Sequence, residues 1–327
     1  MNENIVGTDV NQIEITSLSH ITGQSQVVNL LRMSIDSYFQ NRSKNNENTT
    51  FGPCLLTGPS GTGKTLVAKA IHAELGNLTL IETNGEMLNT INELTSVFLT
   101  ADDNTSIFID ECMALNTKAQ HFLLTAISER HIYAARGSSS KNKCKIPLAN
   151  FVLILACTHE YQLQDALRNR MRIYCRFDYY SIEDLTEIAR QRADALGWEY
   201  ESEDVLRECA IRAKQTPRLA LNRNLQMAYN VAISNNRDVI TTADAKQAFE
   251  LLSIDMLGLD FLDQAYLREL SKYDSMKLNV ISSKIGLPRQ TIVSVIEPFL
   301  LRSELIEKVG SDRVITDLGK YHIENND

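Results

Sequence analysis

The stretch Gly58-Pro59-Ser60-Gly61-Thr62-Gly63-Lys64-Thr65 matches G-x-x-x-x-G-K-[ST] in full, and its flanks agree with it. Cys54 to Thr57, just upstream, is a short apolar run that reads as a buried strand. Leu66 to Leu75 follows with helical spacing and stops at Gly76. Strand, glycine loop and helix in that order form a phosphate cradle. The glycines let backbone N–H groups turn inward without Cβ clashes, and the helix N-terminus adds partial positive charge facing the same anion. Residues Gly58 through Leu66 are therefore the expected ATP-binding loop. Lys64 is expected to reach the β- and γ-phosphates, and the Thr65 hydroxyl to bind Mg²⁺.

A second acidic element stands about 45 residues after Lys64. Ser106-Ile107-Phe108-Ile109-Asp110-Glu111 is an apolar run ending in two carboxylates. An aspartate at the carboxyl end of a strand can hold the magnesium shell beside Thr65. The neighbouring glutamate can polarise a water for attack on the γ-phosphate.

Composition sets wider bounds. A chain of 327 residues has room for two or three domains, and 43% hydrophobic with 23% charged residues fits an ordinary soluble globular protein. No run is long and apolar enough for a membrane span, and the polar, acidic start Met1-Asn2-Glu3-Asn4 has no signal-peptide pattern, so a cytoplasmic protein is expected. Cysteines 54, 112, 144, 157, 175 and 209 form no C-x-x-C pair and read as reduced thiols. The net charge of −8 argues against a surface that coats nucleic acid, so any DNA contact must come from local basic patches.

Along the chain, residues 1–16 read as weakly ordered, with Ile13 and Ile15 the first anchored positions. Ser17 to Gln24 leads into an amphipathic helix, Val27 to Tyr38, and the asparagine-rich stretch 41–50 reads as an exposed loop. Leu78 to Thr83 is a second strand and Glu86 to Leu99 a helix. Lys118 to Ser128 is another helix. The segment His131 to Ile146 then reads as two short strands around a glycine-serine tip. Arg136, Lys141, Lys143 and Lys145 make it basic, and a solvated hairpin and a partner- or DNA-contacting one remain equally open. Phe151 to Thr158 is a fully apolar strand with a polar end. Alternating strands and helices predict a parallel sheet with helices on both faces, with ligands at the strands' carboxyl ends.

From Ser181 the strands are expected to stop. Helices are predicted from Ser181, over 202–214, over 217–234 and over 241–251, a small helical domain. After a link at 254–260, three helices (263–272, 280–285, 289–302) and a hairpin around Gly310-Ser311-Asp312 give the winged-helix order.

This arrangement resembles the AAA+ ATPases, and more closely the RuvB family, the Holliday-junction branch-migration motors. The resemblance is carried by Gly23-Gln24, Phe108-Ile109-Asp110-Glu111, Ala156-Cys157-Thr158, Leu167-Arg168-Asn169-Arg170, Tyr180, Thr216-Pro217-Arg218 and Leu257-Gly258-Leu259-Asp260. It runs from about Ser17 to the last hairpin, and implies an AAA+ domain over 1–179, a helical lid over 180–254 and a winged helix over 255–327. It also implies roles. Thr158 would be the polar sensor that orders the attacking water. Arg170 would be the arginine finger acting on ATP in a neighbouring subunit, with Arg168 supporting the interface. Arg218, after Pro217 in the nucleotide-reading lid motif, would read the γ-phosphate within its own subunit, and Tyr180 would pack near the adenine. The 131–146 hairpin falls where RuvB meets its junction-binding partner RuvA, and Lys308 and Arg313 fall on DNA-contacting positions of the wing. A hexameric ring acting on DNA with ATP and Mg²⁺, in recombination and repair, is the implied assembly.

The chain departs from the family pattern in places. Ile13-Glu14-Ile15 replaces a Leu-Arg-Pro segment, which removes an arginine contact to the nucleotide. Ser311-Asp312 stands at the wing tip where arginine and glycine are usual, and residues 255–327 carry nine Lys/Arg against twelve Asp/Glu. Two expectations follow side by side: weaker DNA affinity than in typical members, or a different substrate. Alternative readings are an AAA+ loader that places another protein on DNA, and a winged-helix regulator using ATP as a switch. Intact Glu111 and Arg170 speak against the regulator, since a switch needs neither.

Overall fold

The structure is a computed structural model that describes residues 7–14, 16–44, 49–76, 78–135 and 143–325. Its contacts divide it into two compact units, one of residues 13–184 and one of residues 185–325 with 7–12.

The first unit is built on a parallel sheet. Its strands are β1 (Cys54–Thr57), β2 (Thr79–Asn84), β3 (Thr105–Asp110), β6 (Val152–Cys157) and β7 (Ile173–Arg176), in the spatial order β2-β3-β6-β1-β7. A separate antiparallel pair, β4 (His131–Ala135) and β5 (Lys143–Pro147), lies in the chain between β3 and β6. The alternation of side chains along the strands sorts the core into two layers. Cys54, Leu56, Phe108, Val152, Ile154 and Ala156 pack on one face with the helices Ser25–Ser43 and Lys64–Leu75. Leu55, Ile107, Ile109, Leu153, Leu155 and Cys157 pack on the other with the helices Ile91–Thr100 and Thr117–Glu129. Because every strand runs the same way, β1, β3 and β6 all deliver their carboxyl ends to one edge.

Several expectations need correction. The strand β7 is not visible in the sequence pattern: it is four residues long, closes with Arg176, and pairs with β1 in register Cys54↔Ile173. The expected helix 86–99 is two pieces. A 3-10 turn covers Gly85–Leu88, and the helix starts again at Ile91 because Thr90 and Glu93 form a capping box. The first helix extends well past Tyr38, to Ser43.

In the second unit, the lid holds helices Ile182–Leu196, Glu203–Ile211, Gln226–Ser234 and Thr242–Leu251, the first of them beginning within residues 13–184. Strands do not stop at Ser181: β8 (Glu199–Tyr200) and β9 (Val239–Ile240) form a short parallel pair. The helix expected over 217–234 opens into wide turns over Leu219–Leu225, and buried Asn224 uses its amide to bond the Cys209 carbonyl at 2.8 Å.

The N-terminal segment is also anchored earlier than expected. Val10 is buried, its N–H donates to Gln226 Oε1 at 2.8 Å, and Arg192 donates to its carbonyl at 2.6 Å. Trp198, stacked on Tyr229 at 3.9 Å, donates to the Gly7 carbonyl at 2.6 Å. Residues 7–12 thus belong with the lid helices. Ile15 and the hairpin tip 136–142, with Arg136 and Lys141, lie outside the described residues.

The last part has helices Phe261–Ser271 and Leu278–Ile285, a helical run from Arg289 to Arg302, and a sheet in the order β10-β12-β11. Strands β11 (Ile306–Val309) and β12 (Asp312–Ile315) are the expected hairpin. The strand β10 (Ser275–Lys277) and a closing helix, Asp317–Glu324, were not expected. Tyr266, Leu267, Leu270, Ile281, Ile292, Ile296, Leu300 and Ile315 fill its core.

Candidate nucleotide site

The loop after β1 turns through three left-handed glycines. Gly58 has φ 148°, and a Cβ there would stand 2.4 Å from the Phe177 carbonyl oxygen, so only glycine fits against the chain leaving β7. Gly63 has φ 94° and starts the helix Lys64–Leu75. Lys64 is buried at the head of that helix and donates to the carbonyls of Gly58 and Pro59, both at 2.8 Å. Its ammonium is thereby held across the loop where phosphate oxygens would lie.

Next to it, the Thr65 hydroxyl donates to Asp110 Oδ2 at 2.7 Å. These two hard oxygen donors, one from the helix start and one from the end of β3, are a donor set of the type Mg²⁺ prefers. Asp110 also accepts from the Glu111 N–H at 2.8 Å, which fixes the turn at that point. Glu111 has φ 46°, a left-handed conformation uncommon outside glycine, and Gly85 makes it possible. A Cβ on Gly85 would stand 2.4 Å from the Glu111 carbonyl oxygen. The Glu111 side chain accepts from the Thr158 hydroxyl at 3.2 Å, so the ends of β3 and β6 meet through these two residues. Thr158 also lies 3.1 Å from His159 Nδ1.

Tyr180 is buried and its hydroxyl donates to the Thr62 carbonyl at 3.0 Å. Burial pushes its phenol up to about 12, so it stays a neutral donor. Gly23 packs on its ring, with a would-be Cβ 2.8 Å from the ring carbon, and Gln24 grips the backbone of Asp178 through both ends of its amide, at 2.6 and 3.2 Å. Gly23-Gln24 therefore fixes the segment that carries Tyr180. This is a local role that the residue types alone did not disclose.

Sequence reasoning also missed a thiol pair behind the carboxylates. Cys112 and Cys157 are both fully buried there. All six cysteines are free thiols.

Arg170 lies beyond the short helix Asp165–Arg168, exposed, and its guanidinium makes no ion pair or hydrogen bond among the described residues. Arg168 is tied to Asp165. Pro217 and Arg218 belong to the other compact unit, where Arg218 is exposed at the start of the wide-turned helix.

The two wing cations differ in their surroundings. Arg313 on β12 is 9% exposed and bonds Glu297 with Nε at 2.7 Å and Nη2 at 3.2 Å. Lys308 on β11 pairs with Oε2 of the same carboxylate at 2.9 Å. Glu297 itself is completely buried and also accepts from Tyr266. An internal carboxylate needs cations around it, so Arg313 is a core partner of Glu297 and is not presented as a phosphate contact. Lys308 remains 40% exposed in its side chain.

A P-loop on a parallel sheet, an Asp-Glu strand end and a polar sensor at the next strand define an AAA+ ATPase, here followed by a helical lid and a winged helix. Three family descriptions match in tandem: the P-loop domain of the Holliday junction DNA helicase RuvB over residues 13–177, the RuvB AAA lid domain over 180–255 and the RuvB C-terminal winged helix over 256–324. The chain belongs to the RuvB family. It is 33% identical over 272 residues to the Holliday junction branch migration complex subunit RuvB of Wolbachia sp. subsp. Brugia malayi, covering 82% of each chain. Among solved structures it resembles the Thermotoga maritima RuvB Holliday junction branch migration motor, with TM-score 0.79, 25% identity, and coverage of 95% of this chain and 98% of that one. A single-residue variant of the same Thermotoga protein gives TM-score 0.80 at 25% identity, with coverage of 95% and 99%. No helix among the described residues is long and apolar enough to cross a membrane.

Proposed function

We propose that this chain is an ATP-driven motor that moves duplex DNA at four-way junctions, acting as a hexameric ring of like subunits. The observation that carries the reading is the linked series Thr65–Asp110–Glu111–Thr158 along one sheet edge, in a chain whose three domains all match RuvB. Thr65 and Asp110 would hold Mg²⁺, which would supply charge neutralisation at the phosphates when bound. The loop Gly58–Leu66 holds the phosphates, with Lys64 as the charged contact. Glu111 takes the proton side of the attacking water, and Thr158 orients both. Tyr180 closes the cradle near the base. Arg218, after Pro217, reads the γ-phosphate from the lid, and Arg170 serves the neighbouring subunit.

DNA contact rests on the winged helix, with Lys308 kept as a phosphate contact and Arg313 reassigned to the frame that holds it. The pair β4–β5, with exposed Tyr133 opposite Lys145, is the docking surface for a junction-binding partner of the RuvA kind. A cytoplasmic setting goes with this reading.

The test is a synthetic four-way junction with long arms, incubated with the protein, ATP and Mg²⁺, with and without a junction-binding partner. ATP-dependent conversion to two duplexes, lost in Glu111→Gln, is expected. ATP-dependent removal or placement of a protein on DNA, with the junction unmoved, would replace this reading with that of a loader.

A further inference from the structure

The segment that leads into Thr216-Pro217-Arg218 is gripped by the winged helix. Lys214 and Gln215, immediately before it, are both left-handed, with φ 46° and 64°, a conformation that two successive non-glycine residues hold only where their surroundings demand it. Those surroundings are visible. The Lys214 ammonium, on a side chain 12% exposed, bonds Asp260 at 3.3 Å and Asp263 more closely. These two carboxylates are the N-cap and the third residue of the capping box that starts Phe261–Ser271, the first helix of the winged helix. The same ammonium lies 5.8 Å from the centre of the Phe299 ring, and Arg302 covers that ring at 5.6 Å and donates to Gln215 Oε1 at 3.4 Å.

The lid holds the other side of this segment. Arg223, in the wide-turned helix that Arg218 begins, donates to the Arg212 carbonyl at 2.6 Å. Gly258 of the linker packs against that carbonyl so closely that a Cβ would stand 2.4 Å from it. Residues 212–215 are thus clamped between the lid helix and the base of the winged helix, three to six positions before Arg218. A rotation of the winged helix must either break the buried contacts of Lys214 or carry the segment with it.

We propose that Lys214 is a positioning residue that ties the winged helix to Arg218, so that the state of bound DNA reaches the nucleotide through residues 212–218. The proposal rests on Arg218 being the lid arginine that faces the γ-phosphate. Coupling of this kind is reciprocal: bound nucleotide must change DNA affinity by the same factor as DNA changes nucleotide affinity.

The experiment measures that factor in the full-length protein, as the ratio of Kd values for a fluorescent duplex with ATPγS and with ADP. A ratio of about fivefold or more is expected for the unaltered chain. Lys214→Met keeps the aliphatic stem and removes the charge. It is expected to bring the ratio to within about twofold of unity, with DNA affinity in ADP and basal ATP turnover both retained. Arg302→Ala, a surface change that leaves the buried pairs intact, is expected to lower the ratio part of the way. A full ratio in Lys214→Met overturns the proposal. So does a parallel loss of basal turnover and DNA binding, which would mark Lys214 as merely structural, and so does a ratio near unity in the unaltered chain. Arg218→Ala, run alongside, separates the two layers: a full ratio there removes the reading of Arg218 itself, whatever Lys214→Met does.

Discussion

The Thr158 hydroxyl donates to the Glu111 carboxylate at 3.2 Å, across the ends of two neighbouring parallel strands. On the proposed mechanism the pair divides the work at the attacking water: Glu111 supplies the base, while Thr158 fixes where the base points. Glu111→Gln is therefore expected to bind ATP normally and lose at least about 100-fold in turnover, the scale of a general base. Thr158→Val keeps shape and removes the donor, and should lower kcat while leaving KM for ATP near its original value. Lys64→Ala should abolish binding itself. Steady-state ATPase kinetics with equilibrium nucleotide binding for the three variants decide this, and normal hydrolysis by the glutamine variant would remove Glu111 from the role.

Arg313 and Lys308 share Glu297, yet they should fail in different ways. Removing Arg313 leaves a fully buried carboxylate with Tyr266 and the half-exposed cation of Lys308. Arg313→Met is expected to destabilise the winged helix by about 3 kcal/mol, the scale of a broken buried ion pair. Burial favours the neutral acid at Glu297, but the bonds from Arg313 and Lys308 outweigh it and hold its pKa below the usual carboxylate range. Lys308→Ala should cost little stability and reduce the salt dependence of duplex binding by about one unit of slope. Chemical denaturation and salt-titrated DNA binding, done on both variants, separate the two roles. A stable Arg313→Met with a flattened salt slope would return Arg313 to the DNA surface.

Asp244 gives the lid an acid-sensitive point. It is fully buried, and burial pushes its pKa up, but bonds from Arg237 and from the hydroxyl and N–H of Thr241 hold it at about 2. A folded-state pKa below the unfolded value means stability that is present above about pH 4 and lost as pH falls toward 2. The contribution at neutral pH is about 2 kcal/mol on that shift. The stability gap between the unaltered chain and Asp244→Asn, measured by urea unfolding, should narrow steadily between pH 5 and about 2. A gap that stays constant over that range would show that the carboxylate charge is not what holds the turn.

What the sequence disclosed, and what it did not, follows from range. The glycine loop, the Asp110-Glu111 strand end and the polar end at Thr158 are local patterns, and each one implies its own backbone geometry. The sheet order, which puts β7 beside β1, depends on pairing across more than a hundred residues, and β7 itself is too short to show a period. The capture of Arg313 by Glu297 was hidden for the same reason. The position of Arg313 on the wing is local information, but the buried Glu297 that captures it lies 16 residues away on a helix. Gly85 and Lys214 were silent because their importance lies in the backbone they approach and the residues they hold.

The Arg170 guanidinium makes no ion pair or hydrogen bond among the described residues and lies exposed just past the helix Asp165–Arg168. An arginine held ready for a neighbour must look like this within a single chain, because its partner is supplied only on assembly. Arg168, two positions earlier, is already engaged with Asp165. Arginine fingers contribute about 10³–10⁵ in rate to comparable phosphoryl transfers by stabilising charge in the transition state. Arg170→Ala should therefore bind ATP almost normally and turn over at least about 10³-fold more slowly, whereas Arg168→Ala should be milder. Mixing Arg170→Ala with Lys64→Ala should restore part of the activity, because some interfaces then pair an intact cradle with an intact arginine. The measurement is the ATPase rate of the two inactive variants, apart and together, over a concentration range that spans assembly. No rescue on mixing, with full activity of the unaltered chain as a dilute monomer, would mean that the site is complete within one subunit and that the ring is not required for hydrolysis.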